Sequence, residues 1–177
     1  MLLIKFSKKF CRLLRRLRFI FCLLLLGIFC LYTLPAYAMC SGLGCSCSVG
    51  TTSVAFGNYN PTSATAVTTT GNVAVTCSAL VLFSVAYVIS MNAGNSGSFS
   101  TRFMNLTGQH LNYNLYQDVA HTLIWGDGTG GSNTVSDSYT AIGLSETNNY
   151  TVYGLLPTLQ PIAAGTYTDT ITVTVTY

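Results

Sequence analysis

Downstream of residue 38, few residues have types that could do chemistry: Cys40, Cys45, Cys47 and Cys77, His110 and His121, Arg102, and Asp127. His110 and His121 stand alone, with no partner at metal-ligand or acid–base spacing, and a surface or hydrogen-bonded position near a strand end accounts for each. Asp127 lies in Gly126-Asp127-Gly128-Thr129-Gly130-Gly131, a run that suggests a calcium or phosphate loop. It lacks the further carboxylates of an EF-hand and the lysine of a P-loop, so turn chemistry explains it better. Cys45-x-Cys47 has no histidine or second thiolate pair at ligand spacing. Arg102 reads as an ion-pair partner or hydrogen-bond anchor within the fold, with a ligand contact as the alternative. No catalytic constellation, metal site or cofactor follows. The remaining ligand-facing candidate is an exposed Trp125 or tyrosine beside the polar loop over 126–137, suited to a sugar or an abiotic surface.

Charge separates the chain into two parts. The whole carries 8 Lys+Arg against 5 Asp+Glu, a formal charge of +3. Lys5, Lys8, Lys9, Arg12, Arg15, Arg16 and Arg18 all precede an apolar run over 19–34, which leads to Pro35 and Ala36-Tyr37-Ala38. A basic leader, an apolar run and an A-x-A site predict a secretory signal peptide over 1–38, cut after Ala38. The run is shorter than the ~18–20 residues wanted for a spanning helix, which argues against an uncleaved anchor. Residues 39–177 have the size of one domain. Their only base is Arg102, against Asp118, Asp127, Asp137, Glu146 and Asp169. Nucleic acid is excluded as a partner, because no basic patch exists to neutralise phosphates.

Export meets oxidising conditions, so the four cysteines of residues 39–177 are expected in disulfides. Four cysteines allow three pairings, and spacing does not choose among them.

The elements that position these residues read as strands throughout. Residues 39–48 are small, polar and Cys-rich, an irregular leader. Val54-Ala55-Phe56 begins the first strand, ended by the turn-rich Gly57-Asn58-Tyr59-Asn60-Pro61. The Ser/Thr-rich stretch 62–70 is a loop or an exposed edge strand. Val73, Val75 and Cys77 alternate with Ala74 and Thr76, a strand ending on a buried cysteine. Residues 80–91, the most apolar run, predict a central strand buried on both faces. Short strands follow over 99–104, 111–116, 122–125, 139–144 and 150–156, with a hairpin through Gln117-Asp118-Val119-Ala120. Many short strands at this spacing, without a helical stripe, predict an all-β sandwich.

The strongest strand is the last. Tyr167, Asp169, Ile171, Val173, Val175 and Tyr177 point one way, while Thr168, Thr170, Thr172, Thr174 and Thr176 point the other. Such alternation marks a half-buried strand. Asp169 breaks the apolar series near the start, where a carboxylate can reach water. A strand in this position exposes an edge unless something pairs with it.

Certain short strings, in order, are characteristic. They are Cys47-Ser48-Val49, Phe56-Gly57-Asn58-Tyr59, Val73-x-Val75-x-Cys77, Arg102-x-Met104 and Leu111-x-Tyr113-x-Leu115-Tyr116. Then come Trp125-Gly126-Asp127, Tyr153-Gly154 with Pro157 and Gln160, and Gly165-x-Tyr167-x-Asp169-Thr170. From about Cys47 to Tyr177 the chain resembles the spore coat protein U domain family, which includes subunits of archaic chaperone–usher pili.

The resemblance implies an incomplete immunoglobulin-like sandwich that lacks its last strand. A periplasmic chaperone lends the missing strand, and the N-terminal extension of the next subunit later replaces it. The implied partners are that chaperone, an outer-membrane usher and other pilin subunits. The implied route runs through the periplasm to the cell surface. The acceptor edge would be Tyr167, Ile171, Val173, Val175 and Tyr177. The family disulfide would join Cys47 to Cys77, closing a loop of about thirty residues worth roughly 3–4 kcal/mol in the chain-entropy model. That leaves Cys40 and Cys45 paired locally or free. The chain departs from the family pattern in one respect. Polymerising pilins carry a donor segment of a dozen or so residues with alternating apolar positions before this cysteine. Here Met39-Cys40-Ser41-Gly42-Leu43-Gly44-Cys45-Ser46 is short and does not alternate, so the subunit is expected to accept a strand and not to give one. An adhesin-like binding module is the alternative.

Overall fold

The computed structural model describes residues 38–177; the leader, Ala38 apart, lies outside them. Ten strands run β1 (Met39–Ser41), β2 (Ser46–Thr52), β3 (Val67–Ser78), β4 (Phe83–Met91), β5 (Phe103–Leu106), β6 (Gln109–Asn112), β7 (Asn114–Tyr116), β8 (Val135–Ala141), β9 (Ser145–Leu156) and β10 (Val173–Thr176). A single 3₁₀ turn, Gly94–Ser96, is the only helical element among the described residues. The fold is all-β, as the pattern predicted, and immunoglobulin-like, as the resemblance implied.

Two sheets face each other. In the first, β4 pairs along one edge with β8. Its other edge is shared end to end: β1 pairs with Ser84–Ala86 and β10 with Val88–Met91. The second sheet runs β2-β3-β9-β7, and β5 and β6 form a separate hairpin. Period-2 alternation fills the space between the sheets. Val73, Val75 and Cys77 of β3 meet Phe83, Val85, Tyr87, Ile89 and Met91 of β4, all buried, with Leu115, Val152 and Leu156 beside them. Burying a Val, Leu, Ile, Phe or Met side chain contributes roughly 1.5–3 kcal/mol, so this double row carries the sandwich.

Several expectations are corrected. Residues 39–48 are irregular only over 42–45. Ser46 onward pairs with β3, and Met39–Ser41 occupies the stretch of β4 edge that β10 leaves free. Val54-Ala55-Phe56 belongs to no strand, although Val54 and Phe56 are half-buried and Ala55 is exposed. The apolar run 80–91 is not buried on both faces. Leu80, Val81 and Leu82 form an exposed turn, and β4 then buries only alternate residues, since Ser84 lies open to solvent. Residues 111–116 split into β6 and β7 at Tyr113, whose amide donates to the Arg102 carbonyl at 2.9 Å. Residues 122–125 contribute only isolated bridges.

The last strand is shorter than its alternation implied. Ladder pairing begins at Val173, with one bridge upstream, Thr168 to Asn105. Between these points Asn92 takes over: its amide donates to the Thr172 carbonyl at 3.1 Å, and its side-chain oxygen accepts from the Thr172 amide at 2.9 Å. The alternation itself is kept. Tyr167, Ile171, Val173 and Val175 are half-buried against the core, and the intervening threonines are exposed. Val173→Asp is therefore expected to cost on the order of 2 kcal/mol or more by burying part of an unpaired carboxylate, whereas Thr172→Asp stays within about 0.5 kcal/mol. Urea denaturation of the two variants checks this, and equal midpoints would mean that the faces are reversed.

Candidate functional site

A cleft opens between the two sheets on the side of β2 and β10. One wall is the segment 53–61, which leaves β2 and runs over the second sheet. It can lie that close because Gly154 has no side chain: a Cβ there would stand 2.6 Å from Val54 and 2.9 Å from Phe56. Phe56 packs edge-on against Tyr113, ring centres 5.7 Å apart. Tyr59 fixes the far end, its hydroxyl accepting from the Gln160 amide at 2.7 Å. Gln160 in turn bonds both backbone groups of Asn112, at 2.8 and 2.9 Å.

The opposite wall is the C-terminal segment, with Ile162, Tyr167, Ile171 and Val173. Two adjoining hollows share Val54, Phe56, Met104 and Tyr167. The hollow of about 290 Å³ has Val73, Leu115 and Val152 in its floor, and the hollow of about 750 Å³ has Leu111 and Leu156. The upper end is crossed by Tyr177, exposed itself, whose hydroxyl donates to the Cys47 carbonyl at 3.3 Å. Val175 packs on the core above the hollows without lining either.

Polar bonds hold the C-terminal wall in place. Asp169 is not simply hydrated. Its Oδ2 accepts from the Tyr113 hydroxyl at 2.7 Å and its Oδ1 from the Asn95 amide at 2.9 Å. Burial, with this acceptor beside it, pushes the Tyr113 hydroxyl far above the usual tyrosine range, so it remains a donor. Gly94, at a positive φ of 65°, has no room for a Cβ against that carboxylate.

Arg102 lies behind this wall, fully buried. Its Nη1 donates to Asn114 Oδ1 at 3.0 Å, and its Nη2 to the carbonyls of Asn92 at 2.7 Å and Trp125 at 2.8 Å. The guanidinium sits 5.2 Å from the centre of the Phe99 ring. Burial lowers its pKa, opposed by Tyr113, Asp169 and Asp127. A guanidinium stays charged regardless.

The other sequence candidates lie apart from the cleft. Trp125 is buried, donating to the Ile89 carbonyl at 3.2 Å, and offers no ligand-facing ring. Asp127 accepts from the Thr129 amide and hydroxyl at 2.8 and 2.6 Å, a closed turn. His110 stacks on Phe103 at 3.7 Å, and His121 meets Tyr116 edge-on at 5.2 Å. No group of three metal-ligating side chains occurs among the described residues. Cys47 is bonded to Cys77, its direct cross-strand partner, and Cys40 to Cys45. The wall formed by Val54 and Phe56 was legible only as an alternation. Met104, Leu111 and Ile162 gave no sequence signal of their place in the cleft.

Known proteins resemble this chain in sequence or in fold. One curated relative, Protein U of Myxococcus xanthus, is 29% identical over 150 residues, covering 77% of this chain and 80% of that protein. A solved structure of similar fold is the CsuC–CsuE chaperone–tip adhesion subunit pre-assembly complex from the archaic chaperone–usher Csu pili of Acinetobacter baumannii. The matched chain has a TM-score of 0.51 and 22% identity over 75% of this chain, which spans 40% of that chain's length. The spore coat protein U domain profile matches residues 39–174, so the sandwich with its open cleft is one such domain, and the chain belongs to that family.

Proposed function

We propose that this chain is a structural subunit of a bacterial surface pilus or coat that is completed by a β-strand from another chain. The observation that carries the reading is the cleft. Along it, the edge of β10 away from β4 has no ladder partner among the described residues, and a row of half-buried apolar side chains lies beside that edge. Unpaired backbone groups and uncovered apolar surface are together satisfied by an added strand with alternating apolar residues. Tyr167, Ile171, Val173, Val175 and Tyr177 form the acceptor side, with Val54 and Phe56 facing them. The partners are a periplasmic chaperone, an outer-membrane usher and other subunits, and the chain is exported through the periplasm to the cell surface. That the structurally similar protein is a chaperone–subunit pre-assembly complex supports this reading.

The test is uptake of a synthetic strand peptide by the exported protein. Uptake is expected at one peptide per chain, stabilising the fold by about 2.7 kcal/mol at a hundredfold excess over Kd. Ile171→Lys, on the cleft wall, should abolish uptake, and Thr170→Lys, exposed on the same segment, should leave it intact. A thermal midpoint that no alternating peptide raises would overturn the proposal.

A further inference from the structure

A surface designed for solubility is set at roughly 25–35% Lys, Arg, Glu and Asp. The outward face of the second sheet carries none. Across β2, β3 and β9 the only charged residue is Glu146, which stands opposite Cys77 in the inward-facing register. The outward positions form rungs of hydroxyls: Ser46–Ser78–Ser145, then Ser48–Thr76–Thr147. Strand geometry sets these groups about 4.8 Å apart across the sheet and about 6.8 Å apart along it. Neighbouring side chains bond to one another. Thr76 and Thr147 hydroxyls are 2.8 Å apart, and Asn72 Nδ2 donates to Asn149 Oδ1 at 2.9 Å. The array is thus partly ordered before anything binds, which lowers the cost of binding. At one end Tyr153 and its cross-strand partner Tyr116 continue the same face, with His121 edge-on to both.

We infer that this face binds a neutral polysaccharide. Hydroxyls and amides both donate and accept, as sugar hydroxyls do, and the tyrosine rings at the end offer an apolar surface for sugar C–H groups. Charge complementarity selects the class. At pH 7, with His121 neutral, an acidic polymer finds no cation here, because the only Lys or Arg of residues 39–177 is buried, and a basic polymer finds no carboxylate on the face. An apolar partner would desolvate a layer of hydroxyls without replacing their hydrogen bonds.

The test is co-sedimentation of the exported protein with microcrystalline cellulose, chitin and an insoluble β-glucan. Retention by at least one is expected, reduced at least fivefold in Thr147→Lys and Asn149→Lys. Ile142→Lys, exposed in the loop that follows β8, should be retained as the native protein is. Neither Thr147 nor Asn149 lines the cleft, so strand-peptide uptake by the same variants serves as the check on folding. No retention by any of the three polymers overturns the inference, as does retention that the two variants leave unchanged. So does a native dimer in sedimentation velocity that Thr147→Lys dissociates, since the face would then be an interface between copies.

Discussion

Arg102→Met is expected to lower the unfolding free energy by about 4 kcal/mol, a large share of the ~5–15 kcal/mol that holds a domain together. The side chain touches three acceptors from three separate parts of the chain: Asn92 just past β4, Trp125 in the bridge region, and Asn114 in β7. Burying the charge is itself costly, so a substitution removes a penalty as well as the bonds. It does not remove the acceptors. Two backbone carbonyls would lose this donor, at roughly 1–3 kcal/mol each where they are buried, while Asn114 Oδ1 would keep only the Leu115 amide at 2.9 Å. The effect also spreads to the cleft, since Asn92 bonds the Thr172 backbone and sets where β10 begins. Arg102→Lys should be intermediate: it keeps the charge, but a single ammonium lacks the planar fork that serves acceptors on two sides. Urea denaturation with a constant m-value measures both. An Arg102→Met variant within 1 kcal/mol of the native protein would mean that water replaces the guanidinium.

What the sequence disclosed, and what it withheld, follows from the range of the interactions. The alternation in β3 and in 167–177 was legible because the faces of a strand are written locally, at period 2. Leu80, Val81 and Leu82 have the composition of a buried strand, yet they turn in solvent. Their geometry is set by the Leu80 amide bonding to the Leu43 carbonyl at 2.9 Å, a contact with a distant loop that no local pattern records. Met39–Ser41 looked irregular because three residues are too few to show a period. They form a strand because β4 offers a free stretch of edge and the Cys40–Cys45 bond ties the following loop. Arg102 was legible as an anchor, being the lone cation of residues 39–177, but two of its acceptors are backbone carbonyls, which leave no trace in residue types. The cleft had one legible wall. The other, Val54 and Phe56, alternates like a strand but has no ladder partner, and only the close approach over Gly154 places it.

The exported protein should take up one strand and then stop. Mixed with donor-bearing subunits it is expected to give a single one-to-one complex, and alone it should give no ladder of SDS-resistant oligomers. The acceptor half of this expectation rests on the cleft and on the edge of β10 that has no ladder partner among the described residues. The donor half rests on Met39–Ser41, the segment that would have to leave and reach a neighbour. Here it is already engaged: Met39, Cys40 and Ser41 pair with Ala86, Val85 and Ser84. Ser41 adds a hydroxyl bond to the Ser84 carbonyl at 3.2 Å, and Cys40 is bonded to Cys45 directly before β2. Donation would break these pairings, and with the leader cut after Ala38 the few freed residues, at about 3.3 Å each, would not span a sandwich-length cleft. Reduction offers an internal control. Cys40→Ser with Cys45→Ser should loosen the segment and still not produce oligomers, because length and the lack of alternation limit donation as well as the tether. Oligomers formed by the native protein alone would overturn the expectation, and so would an N-terminus mapped well upstream of Met39, which would supply the missing donor residues.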